Sequence, residues 1–91
     1  MLLVEDLVWD DQNLGHIAEH GVSDAKVEEV CYSDPYVKRA RNNALALYGQ
    51  TENGRYLLVI LGRRSKGVYY PVTARDMTNG ERRMFRRAKG Y

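Results

Sequence analysis

The chain has 91 residues, one cysteine and a net charge of +2, which leaves room for one modest domain and for no internal disulfide. No apolar run approaches membrane-spanning length, and the opening Met1-Leu2-Leu3-Val4-Glu5-Asp6 has neither the basic start nor the long apolar stretch of a targeting signal, so a reduced, soluble, cytoplasmic protein is expected. The small net charge hides a division: Met1–Asp34 carries nine acids and one base, Pro35–Tyr91 three acids and thirteen bases, so the parts stand at −8 and +10.

Leu2 to Trp9 reads as an edge strand or extended arm, with Leu7 and Trp9 alternating and Glu5 and Asp6 interrupting it. Asp10 then stands where a helix N-cap is needed, Asp11 adds negative charge to the first turn, and Gly21 suits a left-handed C-terminal position. The spacing predicts a helix over Asp10–His20, with Leu14, Ile17 and Ala18 facing the core and Asn13, His16 and His20 sharing a second face. Ser23 caps a second helix, where Val22 can staple against Val27, although Lys26 stands where a capping box needs Glu or Gln. Val27, Val30 and Cys31 form its apolar stripe, and Asp34-Pro35 ends it. The two helices are expected to pack as one acidic layer.

From Tyr36 the period changes to two. Tyr36, Lys38 and Ala40 oppose Val37, Arg39 and Arg41 until Asn42-Asn43 turns the chain, and Ala44–Thr51 forms the next strand. Asn53-Gly54 between apolar runs predicts a type I′ hairpin turn into Tyr56–Leu61, an unbroken apolar run that fits a central strand covered on both faces. Arg63, Arg64 and Lys66 crowd a loop between Gly62 and Gly67, a cationic tip. The last strand runs from Val68 to Arg75. Alternation puts Val68, Tyr70, Val72 and Ala74 on one face and Tyr69, Thr73 and Arg75 on the other, while Pro71, which cannot donate to a ladder, asks for an edge or a bulge. Asp76 or Thr78 caps a final helix with Met77, Met84, Phe85 and Ala88 as its apolar stripe and Arg82, Arg83, Arg86, Arg87 and Lys89 on the other side. The pattern predicts an α+β fold, two N-terminal helices and a C-terminal helix packed on a four-stranded antiparallel meander.

In order and spacing, several short stretches carry a resemblance. They are Trp9-Asp10, Asn13, His16-Ile17, His20-Gly21-Val22-Ser23, Asp34-Pro35, Gly49-Gln50-Thr51 with Gly54-Arg55, then Thr73-Ala74-Arg75-Asp76-Met77 with Glu81-Arg82. Together they span nearly the whole chain, which resembles the BrnT family of type II toxins. That resemblance implies a RelE-like α+β fold, a ribonuclease that halts translation, and neutralisation by a ribbon-helix-helix antitoxin of the BrnA kind, with operator DNA met only through that antitoxin. One position departs from the family pattern: Phe85 stands where a Tyr is usual a few residues after Glu-Arg, so its hydroxyl is absent.

Metal-free RNA cleavage needs a base for the 2′-hydroxyl, cationic donors for the charged phosphorane and an acid for the leaving 5′-oxygen. Arg75 with Glu81 and Arg82 is the favoured cluster. Its alternative is a salt bridge from Arg75 to Asp76 or Glu81 that fastens the last strand to the last helix. Arg63 belongs to the opposite end of that strand pair. Arg63, Arg64, Lys66, Arg83, Arg86 and Arg87 are the expected RNA contacts, against a merely solvated helix face, and the charge division reads as an RNA or acidic-protein partner unless the acidic helices neutralise the basic sheet. Among Tyr48, Tyr56, Tyr69 and Tyr70, Tyr69 is the expected base-stacking residue and the others are expected core. His16 and His20, at i and i+4, leave three readings open: a metal pair lacking a third ligand, a general base at His20, or a polar contact between the first helix and the sheet. No cofactor, metal or membrane is expected.

Overall fold

The computed structural model describes residues 2–90. The Tyr56–Leu61 run lies inside β4 (Tyr56–Ser65), and Leu57, Leu58, Val59 and Leu61 are buried there. On either side of β4 lie β3 (Leu45–Gln50) and β5 (Val68–Asp76), with β2 (Tyr36–Arg39) outside β3, all antiparallel. A fifth strand, β1 (Asp6–Leu7), lies parallel to β5, so the order is β1-β5-β4-β3-β2 and the sheet is mixed, where a four-stranded antiparallel sheet was expected. The N-terminal arm becomes a strand because the outer edge of β5 is free. Glu5 and Asp6 donate their amides to the Gly67 carbonyl at 2.8 and 3.2 Å, and Val8 donates to Tyr69 at 2.8 Å.

One face of the sheet is closed by α1 (Asp11–Glu19) and α2 (Asp24–Cys31). Ile17, Val22, Val27 and Val30 pack there on Leu47, Leu57, Val59, Leu61 and Ala74. The contact is close enough that a Cβ on Gly49 would stand 2.8 Å from the Val30 methyl. In α1 the buried partner of Ile17 is Asn13. Leu14 is half-buried and Ala18 exposed, against expectation. Asn13 turns inward because it completes a capping box with Asp10 and donates Nδ2 to the Val8 carbonyl at 2.9 Å, so its burial leaves no polar atom unpaired. His16 and His20 are exposed, and neither ring forms a hydrogen bond to the sheet among the described residues.

Two turns differ from their sequence reading. Of the residues at the β3–β4 turn only Gly54 has positive φ (93°), and Gly54 donates to the Thr51 carbonyl at 2.9 Å. This is a three-residue loop ended by a left-handed glycine, and a type I′ turn would need positive φ at Asn53 as well. Arg63 and Arg64 continue β4 instead of forming a loop, and the reversal is confined to the residues around Lys66 and Gly67 (φ 77°).

The larger correction comes from Pro71. Pairing passes from Ile60↔Thr73 to Leu61↔Pro71, so Val72 is extra, a bulge that lets a residue without an amide proton sit inside the sheet. The bulge reverses the alternation upstream. Tyr69 and Pro71 therefore join Ala74 on the α1/α2 face, and Tyr70 joins Thr73 and Arg75 on the other.

That second face carries α3 (Asn79–Lys89), capped by Thr78 in a reciprocal box with Glu81. It crosses from the end of β5 to the start of β2, where Lys89 donates to the Asp34 carbonyl at 2.8 Å. Met77 and Phe85 are buried against Ala46 and Leu58. Met84 is half-buried and Ala88 is exposed, so the apolar stripe is shorter than predicted, while Lys89 is drawn inward as a tether.

Candidate functional site

Registers on either side of β4 set one row across the α3 face: Tyr36, Tyr48, Leu58 and Arg75. The next row is Lys38, Ala46, Ile60 and Thr73, where Ile60 and Thr73 remain half-buried. Adjacent strands lie about 4.8 Å apart, so Tyr48 and Arg75 start about 10 Å apart with Leu58 between them. Both have long side chains that can converge above it.

Arg75 grips Glu81 with both ends of its fork, Nη1 to Oε1 at 2.8 Å and Nη2 to Oε2 at 3.0 Å, and Nη1 also donates to the Asp76 carbonyl at 3.0 Å. Glu81 Oε1 in turn accepts the Thr78 amide at 2.9 Å, so one carboxylate closes the helix cap and anchors the strand end. The Arg75 hydrogen bonds hold the Glu81 carboxyl below its ordinary range, which keeps it ionised and unsuited to take a proton. Arg75 stays partly open to solvent, its side chain 39% exposed.

Glu81 and Arg82 diverge although adjacent in sequence. Glu81 turns toward Arg75, whereas Arg82 lies over the Tyr56 ring, 4.4 Å from its centroid, in a shallow hollow with Gly54, Arg55, Asp76 and Met77. One helical step of 100° separates them. Arg83, Arg86 and Arg87 are exposed. Arg63 Nε donates to the Asn43 carbonyl at 3.2 Å, and Arg64 stacks on Tyr70 at 4.5 Å, both at the far end of β4 from Arg75, as the hairpin geometry predicts. Lys66 is exposed at the turn.

Tyr69, the expected stacking residue, is only 5% exposed and belongs to the core under the helices, for the reason the Val72 bulge supplies. Tyr70 takes the outer position. Its hydroxyl donates to Asp10, 3.0 Å from either carboxylate oxygen, which draws the β5 edge to the α1 cap. His20 stands at the C-terminus of α1. Its carbonyl and that of Gly21 accept Arg55 Nη2 and Nη1 at 3.2 and 2.7 Å, while Arg55 Nε donates to Asp76 at 2.8 Å. His20 is thus held at the Asp76 end of the sheet, but on the α1 side and not in the row of Arg75. The His16 and His20 rings lie 5.5 Å apart, edge to face, and no group of three or more His, Cys, Asp or Glu among the described residues is arranged to hold a metal ion.

Tyr48, like Tyr56 and Tyr70, was assigned to the core by sequence reading and is left half-exposed by the fold. Its ring tilts against Tyr36 at 6.3 Å, and its charge environment is set by Glu81 and Arg75. For Tyr48 the signal was present: a turn centred on Asn42 places Tyr36 opposite Tyr48, and one centred on Asn53 places Tyr48 opposite Leu58. Phe85 packs its ring edge to face on Tyr56 at 6.0 Å and is 3% exposed, so position 85 is part of the packing beneath α3.

A hollow of about 810 Å³ opens elsewhere, where the N-terminal arm and the end of α2 meet β2, with Leu3, Tyr32, Pro35 and Val37 in its walls. Tyr36, at the β2 end of the Arg75 row, also lines it, but Arg75 and Glu81 do not. No family model, curated protein or solved structure matches the chain.

Proposed function

We propose that this protein is a metal-independent endoribonuclease toxin of the BrnT kind, RelE-like in fold, that acts on cytoplasmic RNA, inhibits translation and is neutralised by a ribbon-helix-helix antitoxin. The observation that carries the reading is the separation of charge across the sheet. Glu19, Asp24, Glu28 and Glu29 belong to the helices of one face, and Arg82, Arg83, Arg86 and Arg87 to the helix of the other. Among the described residues the only salt bridge joining an acid of the first 34 residues to a base of the remainder is Asp34–Lys89. The acidic layer therefore leaves the basic face unneutralised, as a polyanion-binding surface requires.

In this reading the α3 arginines and the Arg63, Arg64 and Lys66 end of the hairpin hold the phosphate backbone, and Arg75 faces the scissile phosphate. Three of its five N–H groups engage Glu81 and the Asp76 carbonyl, which fixes the guanidinium plane. Its remaining N–H groups stabilise the two-fold negative phosphorane, a role that preorganised donors fill well. The reading assigns no metal ligands, and chelator should leave cleavage unchanged.

A second reading rests on the closed Arg75–Glu81 fork. If that pair serves only to tie β5 to α3, the protein binds an antitoxin, and through it operator DNA, without cutting RNA. Induced expression in a bacterial host, with total RNA resolved on a gel, separates the two. Growth arrest with RNA fragmentation supports the toxin, and unimpaired growth with intact RNA at confirmed soluble expression sinks it.

A further inference from the structure

Beside Arg75 the row across the sheet holds two phenols, Tyr48 and Tyr36, and Tyr48 stands one strand nearer to Arg75. Tyr48 shares the face and the row of Arg75, with Leu58 between them, and is half-buried. Its ring is fixed from one side by Tyr36. No protein group accepts from or donates to its hydroxyl among the hydrogen bonds of the described residues, whereas the Tyr70 hydroxyl is committed to Asp10. A half-buried phenol held in place by packing and left unpartnered at its tip is free to meet a ligand. Other candidates fail at this position: Glu81 is bound by Arg75 and Thr78, Arg82 has turned away to Tyr56, and His20 lies on the α1 side.

Resting on the ribonuclease reading and deepening it, we propose that Tyr48 is a catalytic residue, the general acid that protonates the leaving 5′-oxygen while Arg75 holds the same phosphate. The 2′-oxygen bonds to phosphorus as the phosphorus–5′-oxygen bond breaks. The proton of the Tyr48 hydroxyl passes to the departing 5′-oxygen, and the 2′-hydroxyl proton leaves to water. The products are a 2′,3′-cyclic phosphate and a 5′-hydroxyl end, and the phenolate regains its proton from water. Burial first, and then the Glu81 carboxylate, raise the Tyr48 pKa while Arg75 opposes them, so the phenol carries its proton at neutral pH, the form a proton donor needs.

The test compares wild type and Tyr48→Phe on two short single-stranded RNAs, one ordinary and one whose scissile 5′-oxygen is replaced by sulfur, a leaving group that departs without a proton. Tyr48→Phe keeps the ring and its Tyr36 contact, so an unchanged melting temperature is expected. On ordinary RNA kcat should fall by about 100-fold with KM little changed, and on the sulfur substrate the variant should cleave within about threefold of wild type. Equal losses on both substrates, or no loss on either, overturn the assignment to Tyr48 while the ribonuclease reading stands. Wild type that cuts neither RNA overturns both.

Discussion

The two faces of the sheet are built to different standards. Under α1 and α2, Leu47, Leu57, Val59, Leu61 and Ala74 are fully buried, and even the methyl-sized space above Gly49 is filled. Under α3, the shorter apolar stripe of Met77 and Phe85 covers Ala46 and Leu58 but leaves Tyr36, Tyr48, Tyr56 and Ile60 only partly buried. The first face can carry most of the stability because more of its apolar side chains are fully withdrawn from water. The second keeps part of its sheet accessible, with Arg75 and the basic helix around it, and it is where a ligand can be met without unfolding anything.

Paired truncations test this contrast most strongly. Leu57→Ala, beneath the helices, should lower unfolding free energy by about 2–5 kcal/mol, whereas Ile60→Ala on the open face should lose about 1 kcal/mol or less, both read by urea denaturation. Equal losses would mean that the faces share the core. Next in size is Arg75→Ala, expected to reduce cleavage by about 100-fold while the protein stays folded, since a preorganised donor contributes about 2.7 kcal/mol or more. The broken, partly exposed pair with Glu81 should itself lower stability by only about 1 kcal/mol or less. Wild-type cleavage by a folded Arg75→Ala would make the fork purely structural.

Counting only the four exposed arginines of α3 as phosphate contacts, single-stranded RNA affinity should drop at least about 50-fold for a fourfold rise in salt, from a slope near −0.7 per contact, and more if Arg63, Arg64 and Lys66 also engage. A flat salt response would remove the electrostatic basis for contrasting the two faces. The smallest effect concerns pH. Glu81 is held below its ordinary 4.5, first by Arg75, so its contribution is present above that value and is lost as pH falls through the lower folded value. Melting temperature should decline as pH is lowered from about 5 to about 3, and Glu81→Gln should flatten that part of the decline attributable to this group. An unaltered slope would assign the acid loss to other carboxyls, among which Asp10 and Asp76 are also depressed, by the Asn13 amide and by Arg55 respectively.

Much of the secondary structure was legible before any coordinates because it depends on local chemistry. Asp10, Ser23 and Thr78 satisfy amides within their own first turns, and the Tyr56–Leu61 run is too apolar for anything but a covered strand. Apolar periodicity likewise marked Val27, Val30 and Cys31 for burial. Sequence also determined that thirteen bases follow nine acids. Only the tertiary structure decided that these charges separate to opposite faces, because that depends on which side of the sheet each helix takes. It also decided that Tyr69 is core and Tyr70 is not, since one extra residue at Val72 shifts the pleat and period-two counting cannot see an insertion in the pairing. The place of β1 was likewise non-local, set by a free edge on β5 more than sixty residues along the chain. For Arg75 the sequence supplied a cation and two possible carboxylates nearby. The turn of α3 chose Glu81 for its fork, because only a helix cap fixes that carboxylate within reach of the strand end.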